Sequence, residues 1–134
     1  MSVVLDTNAL IWLLKDSDRL GRRAERRIDD AFRNSGVIVS ATSFWEVAVL
    51  VAKGRIDVGK PADRWRLEAL ELGIEEAPID GEVAARSVAL SGLHGDPADR
   101  FIAATAIRMD APLVTADANL LSWKGPLVCI DARV

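Results

Sequence analysis

Residues 96–121 read DPADRFIAATAIRMDAPLVTADANLL, and this stretch decides the fold class. Asp96 followed by Pro97 marks a helix start. An aspartate there accepts from free backbone N–H groups, and proline suits the first helical position. The helix is expected to run to about Met109. Pro112–Thr115 then reads as a short strand buried on both faces, because its apolar residues do not alternate with polar ones. Asp117 lies just beyond it. A helix feeding a doubly buried strand is the mark of a parallel sheet covered by helices.

The same alternation extends outward. Ser2–Leu5 predicts a first buried strand, and Asn8–Lys15 an apolar helix. Leu20, Ala24, Ile28, Ala31 and Phe32 recur at helical spacing, and that helix stops near Asn34-Ser35-Gly36. Val37–Val39 predicts a second strand, and Ser43–Lys53 a helix ended by Gly54. Pro61 opens a helix through Leu72, closed by Gly73, and Asp80 caps another through about Leu90. Leu127–Ile130 reads as a further strand, and Ile74–Ile79 is ambiguous. The expected class is α/β, with a central, mainly parallel sheet. The 134 residues carry no Gly/Ser/Pro-rich linker, so one domain spanning 1–134 is expected.

Composition narrows the function. Half of the residues are hydrophobic, enough for a core without disulfides or a structural metal. One cysteine, Cys129, excludes an intramolecular disulfide, and with a single histidine it excludes Cys/His zinc cages. Low cysteine use points to the cytoplasm. No apolar run approaches the roughly 20 residues of a membrane span. With 20 acids and 17 bases the net charge is −3, which argues against a simple basic nucleic-acid binder. It does not argue against a nucleic-acid enzyme that places metal ions between itself and the phosphates.

Ligands of open parallel sheets bind beyond the carboxyl ends of the strands. Asp6 follows the first strand there, and Thr115 and Asp117 follow a later one. Glu46 sits early in the helix after the second strand, and Asp96 and Asp99 open the helix before the next. Two carboxylates about 5 Å apart repel by roughly 3 kcal/mol at an effective dielectric of about 20. Several share one pocket only if a cation joins them or their pKa values rise. All-oxygen ligands suit Mg²⁺ or Mn²⁺, and the matching chemistry is phosphodiester hydrolysis. Each acid also has a purely structural reading. Asp6, Asp96 and Asp117 suit helix caps, and Asp99 suits the capping-box position. Glu46 is the only charge in Phe44–Ala52, but Thr42, Ser43, Glu46 and Lys53 would also form a narrow solvent stripe.

Together these residues resemble a known family. VVLDTNALIWLL at 3–14, SATSFWEVAVLVAKGRI at 40–56, HGDPADRFIAATAIRMDAPLVTADANLL at 94–121 and LVCID at 127–131 are similar, in order, to PIN-domain ribonucleases. The nearest likeness is to VapC-like toxins of bacterial type II toxin–antitoxin pairs. The resemblance implies a three-layer α/β/α sandwich and cleavage of RNA, often transfer RNA, by a water activated by Mg²⁺, with Mn²⁺ a plausible substitute. It implies a 5′-phosphate and a 3′-hydroxyl as products. By motif it makes Asp6, Glu46, Asp99 and Asp117 the metal-holding catalytic set, with Asp96 and Thr115 accessory. Gly95 stands where relatives often carry a polar residue. It also implies a homodimer and a cognate antitoxin.

Arg100 beside the acidic motif suits either RNA or the carboxylates, and His94 reads as structural or surface. Arg19, Arg22, Arg23, Arg26 and Arg27 face one nearby acid, Glu25. They read as a phosphate-steering face, an antitoxin contact, or a solvated helix with Arg26 and Asp30 paired. Trp12 and Trp45 lie in apolar runs and are expected in the core; Trp65 is a candidate for a partner contact. A haloacid-dehalogenase-like phosphatase would need a second Asp where Asn8 stands. A receiver-type phosphoacceptor would need an acid after a middle strand and a suitable late lysine, and Lys124 is the only late one. A non-catalytic PIN scaffold would have no need to keep all four acids. Setting the five clustered acids aside leaves a mildly basic body, so the negative total does not imply a surface that repels RNA.

Overall fold

Val3, Val4 and Leu5 have no polar side-chain atoms, and all three are buried at the centre of the sheet as β1 (Val3–Leu5). The computed structural model describes residues 1–134. In chain order there follow α1 (Thr7–Leu14), α2 (Arg22–Asn34), β2 (Val37–Ser40) and α3 (Ala41–Ala52). Then come α4 (Ala62–Glu71), β3 (Ile74–Ala77), α5 (Gly81–Val88) and α6 (Pro97–Arg108). The chain ends with β4 (Leu113–Thr115), α7 (Ala118–Ser122) and β5 (Cys129–Asp131). All strand pairs are parallel, in the order β3-β2-β1-β4-β5.

Strand alternation divides the core. Val3, Leu5, Val37 and Val39 pack with residues of α1 to α4, including Leu10, Ile28, Phe44 and Trp65. Val4, Ile38 and Leu113 point the other way, onto Val83 of α5, Ile102 of α6 and Leu120 of α7. Helices therefore cover both faces, which gives three layers. No helix is long and apolar enough to cross a membrane.

The order of the strands creates the site. From β1 the chain moves outward to β2 and β3, then returns across the sheet to place β4 on the other side of β1. Connections thus leave β1 and β4 in opposite directions, and a crevice opens above their carboxyl ends. Asp6 and Thr115 stand at that edge, since Leu5 is paired with Val114.

Several local expectations are corrected. Ile74–Ala77 is a true strand, at the sheet edge, where charged Glu75 and Glu76 discourage pairing with another chain. Trp45 is 63 % exposed rather than in the core. The polar arc of α3, with Thr42, Ser43 and Glu46, turns inward and buries Thr42 and Ser43, so polarity along this helix does not mark its solvent side. Trp65 is buried within the chain, edge-on to Phe44 at 6.1 Å, and so is not a free partner contact. Phe32 lies at the surface, and Asp30 pairs with Arg33 instead of Arg26.

Candidate metal centre

Asp6 is both a helix cap and a candidate metal ligand. Its Oδ1 accepts from the Ala9 backbone N–H at 2.8 Å, capping α1, while Oδ2 accepts from Thr115 Oγ1 at 2.5 Å. The side chain is only 5 % exposed. Burial pushes its pKa up; the Thr115 and Ala9 hydrogen bonds oppose that, and nearby Asp117 adds to it. Capping uses one oxygen and Thr115 the other, so the carboxylate is held in one orientation.

Glu46 projects from α3, which Ser40 caps by accepting from Thr42 N–H. Thr42 and Ser43 are buried, so the solvent stripe is absent. Thr7 Oγ1, one residue after Asp6, contacts both Glu46 Oε1 and Ser43 Oγ. Burial raises the Glu46 pKa, the Thr7 hydrogen bond lowers it, and Asp96 and Asp6 raise it further.

Asp96 caps α6 by accepting from Ala98 N–H at 3.0 Å and Asp99 N–H at 3.3 Å. That cap leaves Asp99, three residues on, in the first turn of α6. Asp117 caps α7 through Asn119 N–H at 2.8 Å and Leu120 N–H at 3.1 Å. The Asp99 pKa is pushed up to about 7, first by burial and then by Asp96, Asp117, Glu46 and Asp6 in turn. All five acids singled out in the sequence therefore share one electrostatic neighbourhood, although they come from four separate places in the chain. Candidate ligand atoms of Asp99, Asp117 and His94 lie within 4.8 Å of one another. Asp6 and Glu46 are turned toward Thr115 and Thr7 and stand outside that trio.

The donor set fits a hard dication. It is rich in carboxylate oxygens, and three of the acids have raised pKa values, first through burial and then through the neighbouring carboxylates, a charge that a bound dication would offset. Cys129 is no competing nucleophile: burial and then the Asp6 charge push its thiol up to about 11, so it is protonated at neutral pH.

Residues 3–124 match the PIN domain. The chain belongs to the PIN-domain family. This PIN domain is 37% identical over 126 residues to ribonuclease VapC22 of Mycobacterium tuberculosis (strain ATCC 25618 / H37Rv), across 93% of this chain and 94% of that one. Among solved structures it is similar to VapBC2 from Rickettsia felis bound to a promoter DNA fragment, with TM-score 0.72 and 20% identity. That match covers 97% of this chain and 98% of the other. A toxin–antitoxin complex from Klebsiella pneumoniae gives TM-score 0.66 at 25% identity, covering 97% of both chains. FitAcB from Neisseria gonorrhoeae gives 0.67 at 24% identity, again over 97% of both. The structural matches at these low identities establish the three-layer PIN fold.

Three contributors to the PIN-domain site escaped the sequence reading. Thr7 contacts Glu46 and is itself in contact with Ser43, and only the packing of α1 against α3, 36 residues apart at the Thr7–Ser43 contact, reveals it. His94 is the third. Its Nδ1 accepts from Asp96 N–H at 3.3 Å, which leaves the ring proton on Nε2 in the neutral form. Nε2 is shielded from solvent and lies 3.3 Å from Asp99 Oδ2 without meeting hydrogen-bond geometry. Proximity of His94 to the acidic motif was its only signal. Arg100, by contrast, is committed to the backbone: it donates to the carbonyls of His94, Ser87, Leu90 and Leu93. It ties the α5–α6 loop down and so places Asp96 and His94.

Proposed function

We propose that this PIN domain is the ribonuclease toxin of a toxin–antitoxin pair, a metal-dependent endonuclease that hydrolyses RNA phosphodiester bonds. The observation that carries it is the convergence of four other acids on Asp99, read with the 37% identity to a ribonuclease. Asp6, Glu46, Asp99 and Asp117 would hold Mg²⁺ or Mn²⁺, with Asp96 and Thr115 in support. When bound, such an ion supplies water of lowered pKa and offsets charge on the phosphoryl group.

The chain's own residues prepare that site. Thr115 and Thr7 fix the carboxylates of Asp6 and Glu46, so neither must be reoriented from solvent. Asp6 is shielded from solvent, which strengthens the charge interactions it makes. The caps made by Asp96 and Asp117 fix the starts of α6 and α7 and hold the outer rim. Structured RNA, transfer RNA in particular, is the proposed substrate, and the cytoplasm its place of action. Solved relatives include toxin–antitoxin complexes, and we assign this chain a cognate antitoxin on that likeness, with a homodimeric state as the family resemblance implies.

The test uses purified protein with structured RNA and with a phosphomonoester, each with Mn²⁺ and with EDTA. RNA cleavage that EDTA abolishes supports the assignment, and phosphomonoesterase activity alone points to the phosphatase alternative. Asp6→Asn, which keeps an acceptor for Ala9 N–H, should be folded and inactive. An active Asp6→Asn protein overturns the metal assignment.

A further inference from the structure

The α2 helix carries a charge pattern that the carboxylate site does not use. Ala24, Ile28 and Ala31 are buried, and the opposite face presents Arg22, Arg23, Arg26 and Arg27 to solvent. Arg19 stands just before the helix and Arg133 near the C-terminus, both exposed. None of the guanidinium groups of these six arginines lies within 4.0 Å of an Asp or Glu carboxylate, whereas Arg33 at the far end of α2 is paired with Asp30. Cations in the first turn oppose the helix dipole, at a cost of a few tenths of a kcal/mol each. Gly21 offers no side-chain cap to offset it. Helix stability alone therefore does not account for arginine at Arg22 and Arg23.

The placement of this face supplies a reason. Because α2 precedes the parallel strand β2, its N-terminal half lies toward the carboxyl edge of the sheet, where the acids are. A short series of hydrogen bonds fixes the connection. Thr115, which donates to Asp6, accepts at its carbonyl from Ala132 N–H at 2.8 Å. The Ala132 carbonyl accepts from Gly21 N–H at 2.8 Å, and the Val134 carbonyl from Arg23 N–H at 2.9 Å. A Cβ on Gly21 would lie 2.3 Å from the Val134 carbonyl carbon, so glycine is needed for this close approach. An open groove lined by Arg23, Arg26, Arg27, Asp30, Cys129 and Asp131 runs along the junction of α2 and β5, its Asp30 being paired with Arg33.

We infer that the arginine face of α2 is the track for the substrate's phosphate backbone, leading along the β5 edge to the carboxylates. This rests on the ribonuclease reading and adds where the polyanion lies. Unpaired guanidinium groups, continuity with the site and a groove between them favour RNA. The rival occupant, an acidic segment of an antitoxin, is a test outcome.

The test replaces Arg22, Arg23, Arg26 and Arg27 together with glutamine, and separately with lysine. Binding of a fluorescein-labelled structured RNA is followed by anisotropy in Asp6→Asn protein, across 0.05–0.3 M KCl. Cleavage of the same RNA and of a tetranucleotide is followed in the active protein with Mn²⁺. Each phosphate contact contributes about 0.7–0.9 to the slope of log K against log salt, so the glutamine variant should lose about 3 from it. Its KM for long RNA should rise at least ~10-fold at 0.1 M salt, with kcat retained. Tetranucleotide cleavage should be unchanged, and lysine should restore most of the binding. An unchanged slope and KM overturn the inference. So does loss of antitoxin inhibition with RNA binding intact. The binding arm does not depend on catalysis: an inactive native protein that still binds RNA through these arginines would refute the nuclease reading and leave this one standing.

Discussion

Replacing Thr115 by valine removes one buried oxygen while keeping nearly the same shape. Thr115 Oγ1 donates to Asp6 Oδ2 at 2.5 Å and accepts from Asp117 N–H at 3.0 Å, and the residue is fully buried in β4. A hydrogen bond to an ionised group contributes about 1.5–3 kcal/mol, and loss of the neutral bond adds about 1 kcal/mol. Thr115→Val should therefore cost about 3 kcal/mol at neutral pH, or roughly 10 °C in Tm for a chain of this length. The Asp6 pKa, already raised by burial, should rise further, because the Thr115 bond is the largest effect opposing that rise. The deficit should accordingly grow with pH as Asp6 ionises. Freed of its anchor, the Asp6 carboxylate should hold Mn²⁺ about 10–100-fold more weakly. Thr115→Ser keeps both hydrogen bonds and loses only a methyl group, about 1 kcal/mol. Thermal melts in EDTA from pH 5 to 8, with Mn²⁺ titration calorimetry, measure both effects. A valine variant that melts with the native protein and binds Mn²⁺ equally refutes the role given to this hydroxyl.

In EDTA, native stability should fall as pH rises from 5 to 8. The Asp99 pKa is raised to about 7, so between its ordinary value and 7 the folded state holds a proton that the unfolded chain releases. Raised values at Asp6 and Glu46 act in the same direction. After solvent screening the fall should be about 1–2 kcal/mol, and Mn²⁺ should raise Tm more at pH 8 than at pH 5. A Tm that climbs with pH in EDTA contradicts this. Arg100→Ala should cost about 2–3 kcal/mol and speed amide exchange across residues 89–95, since four carbonyls lose a charged donor. Unchanged exchange there would mean that the loop does not depend on Arg100. Gly21→Ala should destabilise by about 1–3 kcal/mol, because the added Cβ overlaps the backbone of residues 133–134. A variant that melts like the native protein would show that this junction can open without cost.

The helix starts were readable because capping is local. Asp80, Asp96 and Asp117 each accept from N–H groups two or three residues ahead, and Pro97 sets the first turn of α6. Capping did not exclude Asp96 and Asp117 from the site, because α6 and α7 both start at the edge of the sheet where the crevice opens, whereas Asp80 pairs with Arg108 away from it. The α3 faces were not readable. The long apolar run of this helix points Trp45 to the core and leaves a solvent stripe through Thr42 and Ser43 as an open alternative, yet Trp45 is exposed and both polar residues are buried. Arg100 was ambiguous for a similar reason: backbone carbonyls of an irregular loop leave no mark in the sequence.

By itself, the sequence determined the α/β class, the strands buried on both faces, and acids at strand and helix boundaries. These follow from interactions spanning a few residues: apolar runs, caps and chain-breaking glycine and proline. Tertiary structure alone decided that β4 returns to lie beside β1. That crossover brings residues 6 and 115 into hydrogen-bond contact and gathers four acids around Asp99. It also brings the first turn of α2 against the C-terminal residues, turning a run of arginines into a face beside the crevice. Burial and through-space charge act over the folded distance, so neither is fixed by separation along the chain.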